Sequence, residues 1–513
     1  MADATHEKGG TPHSVTSARL SQDPTGETGV HSQPTGWKYR TRKIGRFTIP
    51  CYASPPIQLG VVAFVCFLCP GMFNALSGMG GGGNIDPKPA DDANCALYST
   101  FAVIGFFAGT FTNVIGIKTA LSFGGLGYSI YVGSFLSYKH TQNYGFTVAA
   151  GAILGVCAGL LWTAQGAIMM SYPPENSKGK YISWFWMIFN LGAVIGCLIP
   201  LAENIHTTEK ATVSDGTYIG FLILTILGAL LAWALVDAKN VIRDDGSHVI
   251  LMKNPTWKTE IWGLYEVFRS DPYILFLFPM FFASNWFYAY QFNGVNGAKF
   301  NTRTAALNNT VYYIMQIVGA YIFGYALDIP TIRRTVRAKA VWVALFALTF
   351  AIWGGGYKFQ KGYTREDTNH KNPNPDTVIY DWTTPGYGGP LVLYMFYGFY
   401  DAAWQTAVYW YMGALTNNGR KLANFAGFYK GIQSAGAAII WRLDSNKVPF
   451  MNLFASCWAL LAGGLLLALP LVLFKIKDSV SLEEDLKFTD ETLEDVAPTS
   501  ALDSHIVRSE KVG

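Results

Sequence analysis

Residues 217–237, TYIGFLILTILGALLAWALVD, run for twenty positions before the first charge, Asp237. Twenty helical residues at about 1.5 Å each cover about 30 Å, the depth of a bilayer's hydrocarbon core. Lipid offers no partner for peptide groups, so such a run reads as a membrane-crossing helix that bonds itself. Comparable windows occur at 57–78, 96–116, 118–138, 146–170 and 181–201 before it, and at 272–292, 308–328, 338–355, 388–412, 423–443 and 448–475 after it. The pattern predicts an all-α membrane protein with twelve transmembrane helices in two six-helix bundles, residues 51–237 and 272–477. A linker, 238–271, joins them. Residues 1–50 are predicted to be a disordered tail, and 478–513 an acidic, solvated one.

Composition agrees with that reading. Half of the 513 residues are hydrophobic and 14% are charged, where soluble domains carry about a quarter charged residues, and mean hydropathy is +0.22. The excess lies in long blocks rather than in alternation, which excludes an outer-membrane barrel. The net charge of +4 is scattered through short loops, which leaves no basic surface for nucleic acid. Of seven cysteines, Cys66, Cys69, Cys157, Cys197 and Cys457 fall inside apolar blocks, with no disulfide or metal spacing. There is no phosphate loop of Gly-Lys-Ser type, no zinc-helix motif, and no nucleophile beside a base, so neither an enzyme nor a bound cofactor is expected.

Orientation follows from the basic residues. Lys38, Arg40, Arg42, Lys43 and Arg46 precede the first window, Lys178 and Lys180 join the fourth to the fifth, and Arg333, Arg334, Arg337 and Lys339 join the eighth to the ninth. With an even count these share one face, predicted to be cytoplasmic together with both chain ends. The linker holds an amphipathic piece, Trp257 to Phe268, suited to lying along the membrane surface. The ninth window is expected to end at Gly354-Gly355-Gly356, and Gly116-Ile117-Lys118 is a barely polar joint between the second and third. Gly78 to Gly83 contains five glycines and reads as a hinge or a stretch lining the solute path. Asn308-Asn309-Thr310 spells a glycosylation sequon too close to the membrane to be used.

The halves look duplicated. Gly179, Lys180, Phe185 and Gly196 recur 240 positions later as Gly419, Arg420, Phe425 and Gly436, at the equivalent joint of each half. Glycines at intervals of four, Gly151, Gly155 and Gly159, leave a smooth face where helix backbones approach closely. After the eighth window comes Gly324-Tyr-Ala-Leu-Asp328-Ile-Pro-Thr-Ile-Arg333-Arg334. Here glycine admits a neighbouring helix, and Asp328 is expected to pair with a guanidinium and latch a gate. The first-half counterpart at Gly116-Ile-Lys118 lacks both the acid and the double arginine. Ordinary positive-inside charge is the competing reading. Parallel six-helix repeats with such a loop resemble the major facilitator plan.

Two charges lie deep in the second half: Asp401 in the tenth window and Lys430 in the eleventh. Each costs about 2.5–3.5 kcal/mol at the bilayer centre on the permissive insertion scale, so exposure to lipid is excluded. Counted from window ends near Met412 and Ala423, they sit roughly 16 Å and roughly 10 Å deep. They are expected to form an ion pair facing a central cavity, with Gln405 and Gln433 beside them; a static structural pair is the alternative. Asn190, 240 positions before Lys430, and Gln165 make the first-half counterpart polar but uncharged. Asn74, Asn285 and Gln291 complete the cavity candidates, among aromatic residues that include Tyr288.

Pro70-Gly-Met-Phe-Asn-Ala-Leu-Ser-Gly, Leu126-Gly-Tyr-Ser-Ile-Tyr, Leu161-Trp-Thr-Ala-Gln-Gly, Tyr172-Pro-Pro-Glu-Asn and Phe189-Asn-Leu-Gly together resemble the uncoordinated-93-like family of the major facilitator superfamily. Gly427-Phe-Tyr-Lys-Gly-Ile-Gln-Ser-Ala-Gly is similar to the fungal members' second-half signature. The resemblance covers about residues 50–475 and implies the twelve-helix fold. It also implies two functional classes: a secondary transporter of a small solute, with protons coupled through Asp401, or a non-transporting regulator or trafficking chaperone of another membrane protein.

Overall fold

A computed structural model describes residues 36–44, 47–78, 88–203, 205–206, 213–243, 246–249, 257–368, 377–480 and 485–486. The chain divides into two units, Met1–Gly36 and Trp37–Gly513, and all that follows concerns the second. Most of both predicted tails, Arg46, the glycines from 80 to 83, Asp244, Asp245 and Lys253 lie outside the described residues.

Twelve helical spans follow in the predicted order among the described residues. The first half comprises α1 (Pro55–Leu68) with α2 (Pro70–Gly78) as one broken span, then α3 (Lys88–Ile115), α4 (Ile117–Thr141), α5 (Tyr144–Ser171), α6 (Lys178–Glu203) and α7 (Asp215–Leu231). The linker folds in part into α8 (Trp257–Ser270), whose Ile261, Trp262 and Tyr265 are exposed. The seventh span is irregular: a 3₁₀ turn Pro272–Leu277, α9 (Phe278–Ala283) and a π-helical segment Tyr290–Gly297. Thereafter come α10 (Thr302–Leu327), α11 (Arg334–Gln360), α12 (Gly388–Leu415), α13 (Gly419–Ser445) and α14 (Phe450–Pro470).

Eight of these spans are apolar and long enough to cross a membrane by length and composition alone. The four that fall short are α4, the irregular seventh, α12 and α13, and the reason is visible in α12 and α13. Asp401, Gln405, Lys421, Lys430 and Gln433 lower their apolar content, yet all are buried inside the protein. The outward faces of other spans carry Ile223, Leu227, Val343, Phe350 and Leu466 exposed, as lipid contact requires.

Local chemistry sets the ends. Asn143, Ser214, Asn301 and Asn418 each accept a hydrogen bond from the backbone N–H three residues on, capping α5, α7, α10 and α13. Gly116 has φ +85°, a left-handed conformation that separates α3 from α4 without a polar loop. Cys69 lies outside helical geometry (φ −96°, ψ −84°), and Pro70 starts the next helix.

Three expectations need correction. The glycine triplet 354–356 does not end the ninth span: α11 continues to Gln360, because nothing lies near Gly354 or Gly355 and only Gly356 touches a neighbour. Residues 36–50 are not structureless, since Arg42–Ile44 (β1) and Phe47–Ile49 (β2) pair as an antiparallel ribbon. The start of the acidic tail is docked rather than solvated. Asp478 accepts from Thr335 N at 3.1 Å, Glu175 accepts from Val480 N at 3.0 Å, and Asp485 is buried against Thr416 and Asn417.

Both described ends meet one face. Tyr39 bonds the Asn240 carbonyl, Arg243 bonds the Ser171 and Tyr172 carbonyls at the end of α5, and Val480 bonds Glu175 just beyond them. This side is termed the terminal face and the other the loop face. The 240-residue repeat is also structural: Gly196 of α6 lets α2 approach at Ala75, and Gly436 of α13 lets α9 approach at Phe282. Asn308 of the sequon is fully buried and accepts from Tyr387 Oη at 2.6 Å.

Candidate functional site

Between the halves lies a cavity of about 60 Å³. Its two walls differ. The first half supplies Phe73 and Asn74 from α2, Tyr98 and Phe101 from α3, Trp162 from α5 and Trp186 from α6. The second half supplies Asn285 and Tyr288 from the irregular span, Gln316 from α10, Gln405 from α12, and Lys430 and Gln433 from α13. One wall is mainly aromatic and the other is hydrogen-bonding and cationic.

Lys430 and Asp401 are both buried, but they do not form the expected ion pair. The carboxylate of Asp401 is surrounded by neutral donors: Tyr288 Oη at 2.8 Å, Gln316 Nε2 at 2.9 Å, Tyr312 Oη at 3.1 Å and Gln405 Nε2 at 3.3 Å. Lys430 Nζ instead lies over the rings of Tyr429 at 4.6 Å, Trp162 at 4.7 Å and Tyr409 at 5.3 Å, an aromatic box that favours a cation. Among the described residues its hydrogen bond is to Gln433 Oε1 at 2.9 Å. The physical reason is azimuth: the helix faces aim the two side chains at different neighbours. Two amides bridge the interval. Gln433 Nε2 donates to Gln405 Oε1 at 3.3 Å, and Gln405 Nε2 donates to Asp401 Oδ1 at 3.3 Å. Asn285 Oδ1 accepts from Gln433 at 2.8 Å and from Gln405 at 3.4 Å, which holds both amides in orientation.

The other candidates divide. Asn74, Asn285, Gln405 and Gln433 line the cavity with Lys430, and Asp401 stands behind the wall. Gln291 is a layer further back, its side chain 2.9 Å from Tyr312 Oη. Gln165 and Asn190 are buried outside the lining, with Gln165 accepting from Tyr409 Oη at 3.4 Å and Asn190 donating to the Trp186 carbonyl at 2.9 Å. The sequence reading missed Gln316 and Tyr312, whose spacing in α10 resembles ordinary polar punctuation. The aromatic box was equally hidden, although Trp162 is held in place by donating from Nε1 to Tyr128 Oη at 2.9 Å.

The halves also touch above and below the cavity. At the terminal face Asp328 does not pair with a guanidinium. It accepts from the backbone N–H of Lys180 at 2.7 Å, capping the positive end of α6 in the opposite half. Gly324 makes this possible, since a Cβ there would come within 2.4 Å of Ser183 Cβ. Arg334 reaches across to Glu175 and over the Trp410 ring, while Arg333 is exposed at the start of α11. Lys178 Nζ donates to the Gly413 and Thr416 carbonyls at 2.7 and 3.0 Å. At the loop face Asn293 donates to Asp91 at 3.0 Å and Asp444 at 2.7 Å, and Ser445 donates to Asp92 at 2.8 Å. Among the described residues, contacts thus cross between the halves on both sides of the cavity.

The family model of the Major Facilitator Superfamily matches residues 93–440. A UNC93-like protein of Schizosaccharomyces pombe is 48% identical over 486 residues, covering 94% of this chain and 93% of that protein. UNC93-like protein 1 of Arabidopsis thaliana is 43% identical over 429 residues, 83% of this chain and 92% of its own length. Among solved structures, a proton:xylose symporter of the major facilitator superfamily aligns with a TM-score of 0.57 at 13% identity, covering 85% of this chain and all of that one. The Escherichia coli fucose:proton symporter aligns with a TM-score of 0.53 at 12% identity, covering 83% and 100%. These two similarities are of fold.

Proposed function

The chain belongs to the UNC93-like family of the major facilitator superfamily, and on that premise we propose that it is a secondary transporter carrying a small solute by alternating access. The observation that carries the reading is the Lys430 cavity, set between two belts of contacts that join the halves. In this account residues 51–237 and 272–477 move as two bodies, 238–271 links them, and the solute binds where they meet. Each belt is made of a few hydrogen bonds and ion pairs, so opening one while keeping the other involves a free-energy difference of a few kcal/mol, within reach of a bound solute.

Asp401 is the proposed proton site. Its four neutral donors satisfy the ionised form, and Tyr288, Gln405 and Gln316 are at the same time members of the cavity wall. A solute that draws on those groups changes what they offer the carboxylate, which links occupancy to protonation. The terminal face is proposed to be cytoplasmic, on the basic residues gathered there.

The test uses purified protein in sealed liposomes supplied with a mixture of labelled metabolites. Uptake of at least one solute, enhanced by an inward proton gradient, is expected; Asp401→Asn retains exchange of that solute at equal concentrations but loses the gradient's effect. Absence of any movement, together with a stoichiometric membrane-protein partner on purification from native membranes, overturns transport in favour of a regulatory role.

A further inference from the structure

We propose that the cavity selects an organic monoanion: an aromatic or otherwise flat apolar body bearing one carboxylate, with the carboxylate held by Lys430 and Gln433. The inference rests on the reading of this cavity as the solute site and adds the chemistry of what enters it.

Three features converge. First, Lys430 is the cation of the lining, and no carboxylate among the described residues shares that lining with it. Asp401, the nearby acid, is enclosed by Tyr288, Tyr312, Gln316 and Gln405. The charged group that reaches the cavity surface is therefore a cation, and a cationic solute is disfavoured.

Second, the ammonium has donors to spare. Lysine carries three N–H bonds. One is used by Gln433 Oε1, and the three surrounding rings engage its charge without providing an oxygen acceptor. A buried cation with one hydrogen-bond acceptor among the described residues, 4% exposed and lining a cavity, is complementary to carboxylate oxygens. An uncharged alcohol meets only the hydrogen-bonding part of that complementarity.

Third, much of the first-half wall is flat and apolar, with Asn74, Tyr98 and Tyr128 as its polar members. Phe73, Phe101, Trp162, Trp186 and Phe189 present ring surfaces from four different helices, and Trp162 forms both the side of the lysine's box and part of that wall. One end of a bound molecule thus meets a charge and the other meets rings. A sugar, with hydroxyls all round, would set part of its polar surface against those rings.

The experiment measures binding to the full-length protein in detergent with three probes of one shape: 3-phenylpropionate, 3-phenylpropanol and 3-phenylpropylamine. Thermal stabilisation and quenching of tryptophan emission, to which Trp162 and Trp186 contribute, are read in parallel. Binding of the anion at least about tenfold tighter than the alcohol, with no saturable binding of the amine, supports the proposal. Lys430→Met is expected to erase the preference for the anion, and Lys430→Arg to retain it in part. Equal affinity for all three probes, binding of none, or a preference unchanged in Lys430→Met overturns it. If Lys430→Met does not fold, the probe series on the unaltered protein and on Lys430→Arg still decides the matter. Binding without transport in liposomes sinks the transporter reading and leaves the anion site standing.

Discussion

Asp401 shows how a carboxylate is kept inside a membrane protein without a cationic partner. Two tyrosine hydroxyls and two amides converge on it from the seventh span, from α10 and from its own helix α12. Removing the carboxylate leaves those donors buried and unmatched, each at a cost of about 1–3 kcal/mol. Asp401→Leu is therefore expected to lower stability by several kcal/mol and Asp401→Asn by much less, measured as thermal unfolding in detergent. The depth of Asp401 and Lys430 was legible in the sequence because charge in a long apolar window has few explanations. Their partners were not, since Tyr288 and Gln316 lie 113 and 85 residues away and periodicity within one helix does not say which helix it faces. A second residue-scale case lies outside the membrane. Arg303 grips Asp381 with two bonds of 2.7 Å, holding its carboxyl well below the usual carboxylate range. A depressed acid contributes stability that is complete above its unfolded pKa, about 3.9, and is lost as pH falls through the lower folded value. Asp381→Asn should then melt below the unaltered protein at pH 7, and the gap should narrow steadily below about pH 4. A gap that widens in acid contradicts this assignment.

At the scale of elements, glycine placement decides which helices can close on one another. A Cβ at Gly436 would lie 2.3 Å from the Phe282 carbonyl oxygen, and one at Gly155 would lie 2.1 Å from the Leu97 carbonyl oxygen, whereas nothing lies near Gly463 of α14. Gly436→Ala and Gly155→Ala are each expected to destabilise by about 1–3 kcal/mol through forced backbone shifts. Gly463→Ala should be neutral or slightly stabilising in the same unfolding assay. The Asp328 cap makes a second prediction. It binds the first turn of α6 from the other half, so Asp328→Asn should raise hydrogen–deuterium exchange in residues 178–183 about tenfold, with α7 unchanged. The sequence reading recognised the acid and the arginines as a latch but assigned the wrong partner. A backbone N–H at a helix start carries no residue signature, so Lys180 looked like one more positive charge.

For the molecule as a whole, twelve spans were legible because each must pay for its own peptide groups in lipid, and that constraint acts on composition directly. Even the four spans that fall short by length or composition were found, because their polar residues or breaks interrupt otherwise apolar windows. Ends and irregularities were less visible. The extension of α11 past three glycines shows that a helix-propensity cost of about 1 kcal/mol each does not by itself end a span. The offset of 240 between Gly196 and Gly436 was a sound guide to symmetry, since both serve the same contact of a half's fifth helix with its first. The asymmetry lies at the centre, where Asn190 is turned away from the cavity and Lys430 lines it.

Alternating access about that centre is tested most directly by a single cysteine at Ala158, a cavity-lining position, in a protein whose seven native cysteines are replaced. Sealed vesicles of either orientation are exposed to a membrane-impermeant thiol reagent. Labelling from both faces is expected, and a cross-link between cysteines placed at Glu175 and Arg334 should abolish labelling from the terminal face while preserving it from the loop face. Labelling from one face only, or unchanged labelling from the terminal face after cross-linking, contradicts the account.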